Sequence, residues 1–217
     1  RSPLLRIRGA ERATAIAEYY RDQGKDVLLI MDSLTRVAHA RREIGLALGE
    51  QPTAKGYPPS VVSMIPRLIE RTGSGAAGKG TITSIYTVLA DGDDQNDPVV
   101  DTARAILDGH IVLSRDIAQR GQYPAVDVGA SLSRVMNDIV PAEHAAVARR
   151  FRALAAAYET NRDLVMMGAY RQGADPLLDE AIALYPRMCQ FLSQPGEESV
   201  DLATAFAQMN ELVGRES

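Results

Sequence analysis

The stretch VLLIMDS, residues 27–33, could bind a metal ion at the edge of a sheet. A short run that is apolar on both faces is typical of a central parallel strand, and ligands bind beyond the carboxyl ends of such strands. Asp32 follows this run, so its carboxylate could hold Mg²⁺ through the water shell of the ion. The alternative from the same residues is that Asp32 only caps the helix that starts at Ser33.

A second stretch combines an aromatic ring with an arginine. Tyr123 precedes Pro124 in the sequence YPAVD, and Arg134 follows eleven residues after Tyr123. A tyrosine ring can stack on a purine, and a guanidinium can neutralise charge that develops on a transferred phosphoryl group. The alternatives are that Tyr123 packs in the core and that Arg134 forms a surface ion pair.

The stretch GSGAAGKGT, Gly73–Thr81, nearly spells the phosphate-binding loop G-x-x-x-x-G-K-[ST]. Gly78 and Lys79 are in register, but Gly80 stands where the motif has Ser or Thr. A phosphate-binding loop follows a strand and opens a helix. Here a helical pattern precedes the glycines and a β-branched alternating run follows them. This order predicts a loop between a helix and a strand.

Other metal chemistry has weaker support in the sequence. The acidic run DGDDQND, residues 91–97, could coordinate a metal or form a solvated loop. The three histidines, His39, His110 and His144, are far apart and match no zinc-ligand spacing.

Composition and charge exclude several classes of protein. The 217 residues carry a net charge of −4, and residues 141–217 contain 11 acids against 7 arginines, so no basic stripe points to nucleic acid. The single Cys189 suits a reducing compartment. No apolar run of the length that spans a membrane occurs.

The helix and strand patterns divide the chain near residue 140. Helices and strands alternate up to that point, which predicts an α/β domain with a mostly parallel sheet over residues 1–140. Residues 141–217 read as helices only. The predicted helices are 10–23, 33–49, a helix that ends at Arg71 with a kink at Pro66, 98–107, 115–121 and 142–172. The predicted strands are 26–32, 81–90 and 110–114. In the second helix, Leu34, Val37, Ala38, Ile44 and Leu48 are predicted to face inward.

Longer strings of the sequence resemble one family. Residues 28–73, 80–115 and 121–140, from LLIMDSLTRVAHARREIG to GQYPAVDVGASLSRVMNDIV, are similar to the core of type III secretion ATPases, which are relatives of the rotary ATP synthase catalytic subunit. Residues 162–194, RDLVMMGAYRQGADPLLDEAIALYPRMCQFLSQ, resemble the C-terminal domain of flagellar export ATPases more closely than that of injectisome ATPases. The resemblance runs from about Ser2 to Val213.

The resemblance implies a partial RecA-like P-loop NTPase domain, followed by an all-α C-terminal domain, that uses ATP and Mg²⁺. Asp32 matches the Walker B acid that organises Mg²⁺. Arg36 matches an active-site arginine, and Tyr123 matches the aromatic that packs on adenine. Arg134 matches the arginine finger that reaches the nucleotide of the neighbouring subunit. The family's P-loop and catalytic glutamate precede the position that matches Arg1, so we expect a fragment that is inactive by itself.

The function that the resemblance implies is ATP hydrolysis by a homohexameric ring that energises flagellar type III protein export. The alternative is an injectisome ATPase, and a less favoured one is a nucleic-acid motor similar to the terminator Rho. The implied partners are a stator-like regulator, a stalk-like coiled-coil protein, and export chaperones with their substrates. Nucleic acid is not among them. The implied location is the cytoplasmic face of the inner membrane, at the export gate.

Overall fold

The computed structural model describes residues 2–90 and 97–214, so the acidic run lies outside the described residues except for Asp97. The chain divides into two compact units, Arg1–Leu107 and Asp108–Ser217. Each unit has a hydrophobic core of its own.

The first unit alternates helices with short strands. Its elements are α1 (Pro3–Asp22), β1 (Val27–Met31), α2 (Leu34–Ala47), a 3₁₀ turn (Ala54–Gly56), α3 (Pro59–Ile69), β2 (Gly73–Ser74), β3 (Thr81–Tyr86) and α4 (Pro98–Ile106). Helix α1 begins seven residues before the predicted start at residue 10. The reason is a cap that the pattern analysis missed, because the Ser2 hydroxyl accepts from the Leu5 amide and Pro3 opens the first turn.

A three-stranded sheet of order β1-β3-β2 forms the centre of the first unit. Strands β1 and β3 are parallel and pair from Val27 with Ile82 to Met31 with Tyr86. Strand β2 is antiparallel to β3. On β1, Leu29 and Met31 are buried, whereas Leu28 and Ile30 on the opposite face are exposed.

The helices of the first unit pack around a common apolar core. Leu34, Ala38 and Ile65 are completely buried, and α4 adds Val99 and Ala103. The prediction that Leu48 faces inward is wrong, because this residue forms the C-cap of α2 and its side chain is 74% exposed. Its backbone lies past the last helical turn, so the helical spacing no longer directs the side chain to the core.

The second unit joins a β-ribbon to a set of helices. Its elements are β4 (Gly109–Leu113), α5 (Arg115–Gln119), β5 (Val126–Ser133), α6 (Met136–Ile139), α7 (Ala142–Met166), α8 (Pro176–Leu192) and α9 (Leu202–Val213). Strands β4 and β5 are antiparallel. Phe151 and Leu154 of α7 pack with Met188 of α8 and Val213 of α9, and Val128 of β5 lies against this cluster.

The predicted fold class is confirmed, since an α/β part is followed by a helical part. Helix α7 ends at Met166, earlier than the predicted residue 172, and Gly168 with a positive φ of 66° follows it. Among the described residues, no helix is long and apolar enough to cross a membrane.

Candidate functional site

Asp32 lies immediately after β1, at the carboxyl end of the parallel pair β1–β3. Its side chain is exposed, and its Oδ1 accepts a hydrogen bond of 2.8 Å from the Thr87 hydroxyl. Thr87 is the first residue after β3, and its amide donates to the Met31 carbonyl at 3.1 Å. The strand register therefore places Thr87 beside Asp32 and fixes one oxygen of the carboxylate.

Ser33, not Asp32, caps helix α2. The Ser33 hydroxyl accepts from the Arg36 amide at 3.3 Å, which satisfies one of the free amides in the first turn. The alternative that Asp32 only caps this helix is therefore not what the structure has. Arg36 lies in the same first turn, and its side chain is exposed beside the Asp32 edge of the sheet.

Tyr123 has an exposed ring. Its side chain is 60% accessible, which does not fit the alternative that it packs in the core. The Tyr123 carbonyl accepts from the Gln194 amide at 2.9 Å, and the Gln194 side chain donates to the Glu198 carbonyl at 2.8 Å. The segment after α8 is thereby held against the backbone of Tyr123, and the ring stays available for a planar ligand.

Arg134 is the first residue after β5. Its amide donates to the Asp108 carbonyl at 2.8 Å, which extends the β4–β5 ladder by one step past the pair Gly109–Ser133. Its side chain is exposed. Tyr123 precedes β5 and Arg134 follows it, so the eight residues of β5, roughly 27 Å of strand, separate them. The structure does not bring these two residues together within one chain.

The glycine stretch forms a tight hairpin between β2 and β3. The Gly75 amide donates to the Gly80 carbonyl at 3.0 Å, and a Cβ at Gly80 would lie 2.0 Å from the Lys25 carbonyl oxygen. The Lys79 ammonium lies 3.3 Å from a carboxylate oxygen of Asp22. The predicted order of helix, loop and strand is confirmed, and close backbone packing accounts for Gly80.

Oxygen donors at the Asp32 edge suit a hard cation, but only through water. In residues 2–90 and 97–214, no group of three His, Cys, Asp or Glu side chains could hold a metal ion. A single carboxylate beside hydroxyl groups fits Mg²⁺, which keeps several waters and takes one or two carboxylates.

A separate cavity of about 270 Å³ lies in the second unit, between β5, α7 and α8. Glu159 accepts there from the Tyr185 hydroxyl and from Arg120. Burial, followed by the hydrogen bond to Glu159, raises the pKa of Tyr185 above its ordinary value. These three side chains satisfy one another, so the network stabilises the packing of α7 on α8.

Residues 1–133 match the family model described as the ATP synthase alpha/beta family, nucleotide-binding domain. The chain belongs to this family. Residues 140–211 match a second model, the C-terminal domain of the type III secretion system ATPase EscN. Members of the family therefore have counterparts of the α/β part, and the helical part is similar to that of the secretion ATPases.

Curated relatives of this family member include flagellar and secretion ATPases. The flagellum-specific ATP synthase of Pseudomonas aeruginosa is 55% identical over 98% of this chain and 47% of the relative. That of Salmonella typhimurium is 57% identical over 92% of this chain and 44% of the relative. The type 3 secretion system ATPase of Xanthomonas euvesicatoria is 54% identical over 91% and 44%. The chain thus spans less than half the length of these relatives.

Solved structures give the same result for the fold. The assembled ATPase EscN from the enteropathogenic E. coli type III secretion system superposes with a TM-score of 0.93 at 45% identity, over 98% of this chain and 51% of that one. EscN in complex with its central stalk EscO gives 0.86 at 42% identity, over 98% and 50%.

Three residues at the candidate site were not predicted from the sequence. They are Thr87 beside Asp32, Gln194 beside Tyr123, and Asp108 beside Arg134. The run TITSIYT carried a usable signal for Thr87, because a parallel pairing of residues 27–31 with 82–86 places Thr87 opposite Asp32. Gln194 and Asp108 contact their partners through backbone atoms only, and residue type does not encode such contacts.

Proposed function

We propose that this chain is part of an ATPase that energises flagellar type III protein export. The observation that carries the proposal is the exposed Asp32 carboxylate, held by Thr87 at the carboxyl end of a parallel strand pair. This is the place where open α/β sheets bind ligands. The family match over residues 1–133 supports ATP as the ligand.

Each candidate residue has a separate task in this proposal. Bound Mg²⁺ neutralises negative charge on the phosphates of ATP. The free oxygen of Asp32 accepts hydrogen bonds from the waters of the ion, and Arg36 contributes positive charge at the same edge. Tyr123 stacks its exposed ring on adenine. Arg134 stabilises charge on the transferred phosphoryl group.

The position of β5 supports a ring in which Arg134 acts on the nucleotide of a neighbouring subunit. Tyr123 and Arg134 stand at opposite ends of this eight-residue strand. One nucleotide cannot contact both residues of the same chain, because the strand is longer than the nucleotide. We therefore propose that the two residues face different interfaces of a homohexamer. The assembled structure of the relative EscN supports this arrangement.

The same similarity supports the partners and the location. We propose a stalk-like coiled-coil partner, since EscN was solved with its central stalk EscO. A stator-like regulator, export chaperones with their substrates, and a location at the cytoplasmic face of the inner membrane complete the proposal. Nucleic acid has no part in it, and an ATPase rate that rises on addition of RNA would favour the Rho-like alternative.

We place the border between the nucleotide-binding part and the helical domain near residue 140. The two family models meet between residues 133 and 140, which supports this border. The compact units divide earlier, at Leu107, because Val128 of β5 packs against the helices of the second unit.

A mixing experiment tests the proposed arginine finger. In the whole protein, Arg134→Ala and Asp32→Asn should each lower ATP turnover by about 10³-fold. When the two variants are mixed in equal amounts before assembly, about a quarter of the interfaces contain one intact Asp32 and one intact Arg134 from different subunits. Turnover should then recover well above that of either variant. Arg152→Ala, a change of an exposed arginine on α7, serves as the control.

Two results would contradict the proposal. Unchanged turnover in Arg134→Ala would limit this residue to a structural role. Two inactive variants that do not recover on mixing would show that both residues act within one chain.

The injectisome ATPase remains the second candidate, since the Xanthomonas euvesicatoria relative is 54% identical. Complementation separates the two systems. The flagellar assignment predicts that the whole protein restores motility to a bacterium without its flagellar ATPase, whereas the injectisome assignment predicts restored secretion in a strain without its injectisome ATPase.

A further inference from the structure

A groove of about 250 Å³ opens between helices α1, α2 and α3 of the first unit. Its floor is apolar and contains the buried side chains of Ile7, Val37 and Leu68. Its polar lining consists of three arginines, two serines and one acid, namely Arg41, Arg67, Arg71, Ser60, Ser63 and Glu11. Neither Asp32 nor Arg36 lines it, so the groove is distinct from the candidate nucleotide site.

The arginines of the groove differ in how far their charges are already paired. Both arms of the Arg71 guanidinium are bonded to Glu18, at 2.8 and 2.6 Å. Arg41 lies 3.7 Å from the Glu50 carboxylate, which is longer than a hydrogen bond. Arg67 makes no hydrogen bond or ion pair with the described part of the chain. The lining therefore offers donors from Arg67 and Arg41, against one acid, Glu11.

The Ser60 hydroxyl adds an independent sign of a missing partner. Its Oγ is buried and has no hydrogen-bond partner among the described residues. The other polar groups around it are occupied, since the Ser60 amide donates to Glu50 at 3.3 Å and the Ser63 hydroxyl donates to the Ser60 carbonyl at 3.2 Å. A buried hydroxyl without an acceptor is unfavourable, and an anionic oxygen bound in the groove would accept its hydrogen bond.

We infer that this groove binds an oxyanion of the phosphate class that is attached to a small organic body. Guanidinium groups and a hydroxyl match the several acceptor oxygens of a phosphate, and hydrogen bonds between charged groups are the stronger ones. The volume and the apolar floor favour an organic phosphate over the free ion, because apolar surface of the ligand can be buried there. The local excess of arginine attracts an anion although the chain as a whole carries −4.

Titration of the full chain with three small probes tests the ligand class. Phenyl phosphate carries both features, inorganic phosphate carries only the oxyanion, and phenol carries only the apolar body. Isothermal calorimetry should find phenyl phosphate bound at least about tenfold more tightly than either of the others, and more weakly as salt is raised. Equal binding of phenol, or no binding of phenyl phosphate, overturns the inference.

Two substitutions test the groove itself. Arg67→Ala should weaken phenyl phosphate binding about tenfold, and Arg67→Lys should weaken it less, since the charge remains without the planar fork. The matched control is Arg152→Ala, which removes an exposed arginine of the second unit and should leave the affinity unchanged. Equal losses in Arg67→Ala and Arg152→Ala would mean general charge attraction and would overturn the site.

Ser60→Ala separates binding from folding. The substitution removes a buried hydroxyl that has no partner in the chain, so the urea midpoint of unfolding should stay the same or rise. Affinity for phenyl phosphate should fall about fivefold. A retained affinity would overturn the assignment of Ser60 to the site.

Discussion

Thr87 should set the affinity of the proposed enzyme for Mg²⁺. Its hydroxyl donates to Asp32 Oδ1 at 2.8 Å and fixes the orientation of the carboxylate. Thr87→Val keeps the shape of the side chain and removes the donor. We expect the Mg²⁺ concentration for half-maximal ATP turnover to rise, with a much smaller change in the maximal rate.

The exposure of this pair limits the size of the effect. A hydrogen bond to a charged group contributes about 1.5–3 kcal/mol when it is shielded, and less where water competes. Both side chains are exposed, so we assign about 1 kcal/mol, which is roughly a fivefold change in Mg²⁺ affinity. The assay is ATP turnover of the whole protein in a magnesium titration.

The chain offers a closely matched control at the other end of the same strands. Thr81 donates to Asp26 Oδ1 at 2.9 Å, and both residues stand just before the paired segments, where Thr87 and Asp32 stand just after them. Thr81→Val makes the same chemical change at the edge of the sheet that faces away from the candidate site. If the two valine variants behave alike in the magnesium titration, the reasoning about Thr87 is refuted.

Two further predictions concern stability. Leu154→Ala, at a fully buried position of α7, should lower the free energy of unfolding by about 2–5 kcal/mol, whereas Leu164→Ala, at a position 40% exposed, should cost much less in the same urea titration. Hydrogen bonds from Arg71 hold the pKa of Glu18 below its ordinary value of 4.5. A lowered folded-state pKa gives stability that is present above 4.5 and lost as the pH falls below it, so Glu18→Gln should cost about 1 kcal/mol at neutral pH and little in acid. An equal cost at both pH values would contradict this.

Periodicity located most of the elements because apolar spacing directly reflects which face is buried. Strand β1 and helix α2 were predicted to within two residues at each end. The start of α1 was missed because Ser2 stops the helix by a local hydrogen bond, which apolar spacing does not record. The pairing of β4 with β5 was also not predicted, since antiparallel register depends on contacts between segments that are distant in sequence.

The candidate site was predicted less completely than the fold. Asp32 could be placed at a sheet edge from its strand alone, whereas the roles of Arg36, Tyr123 and Arg134 came only from the family resemblance and remain proposals. The chain does not unite these residues in one pocket, because Tyr123 and Arg134 lie at the two ends of β5. A sequence names residue types, but it does not tell which of them serve the same ligand.

The length of β5 has a consequence for the order of events around a ring. If Tyr123 and Arg134 contact different nucleotides as proposed, a single extended strand connects two adjacent reaction centres. The ladder with β4 holds this strand along most of its length, from Leu113 with Val126 to Gly109 with Ser133. A shift of β5 along its axis when adenine binds at one end would therefore displace the guanidinium at the other end, and hydrolysis in one subunit would become dependent on occupancy in the next.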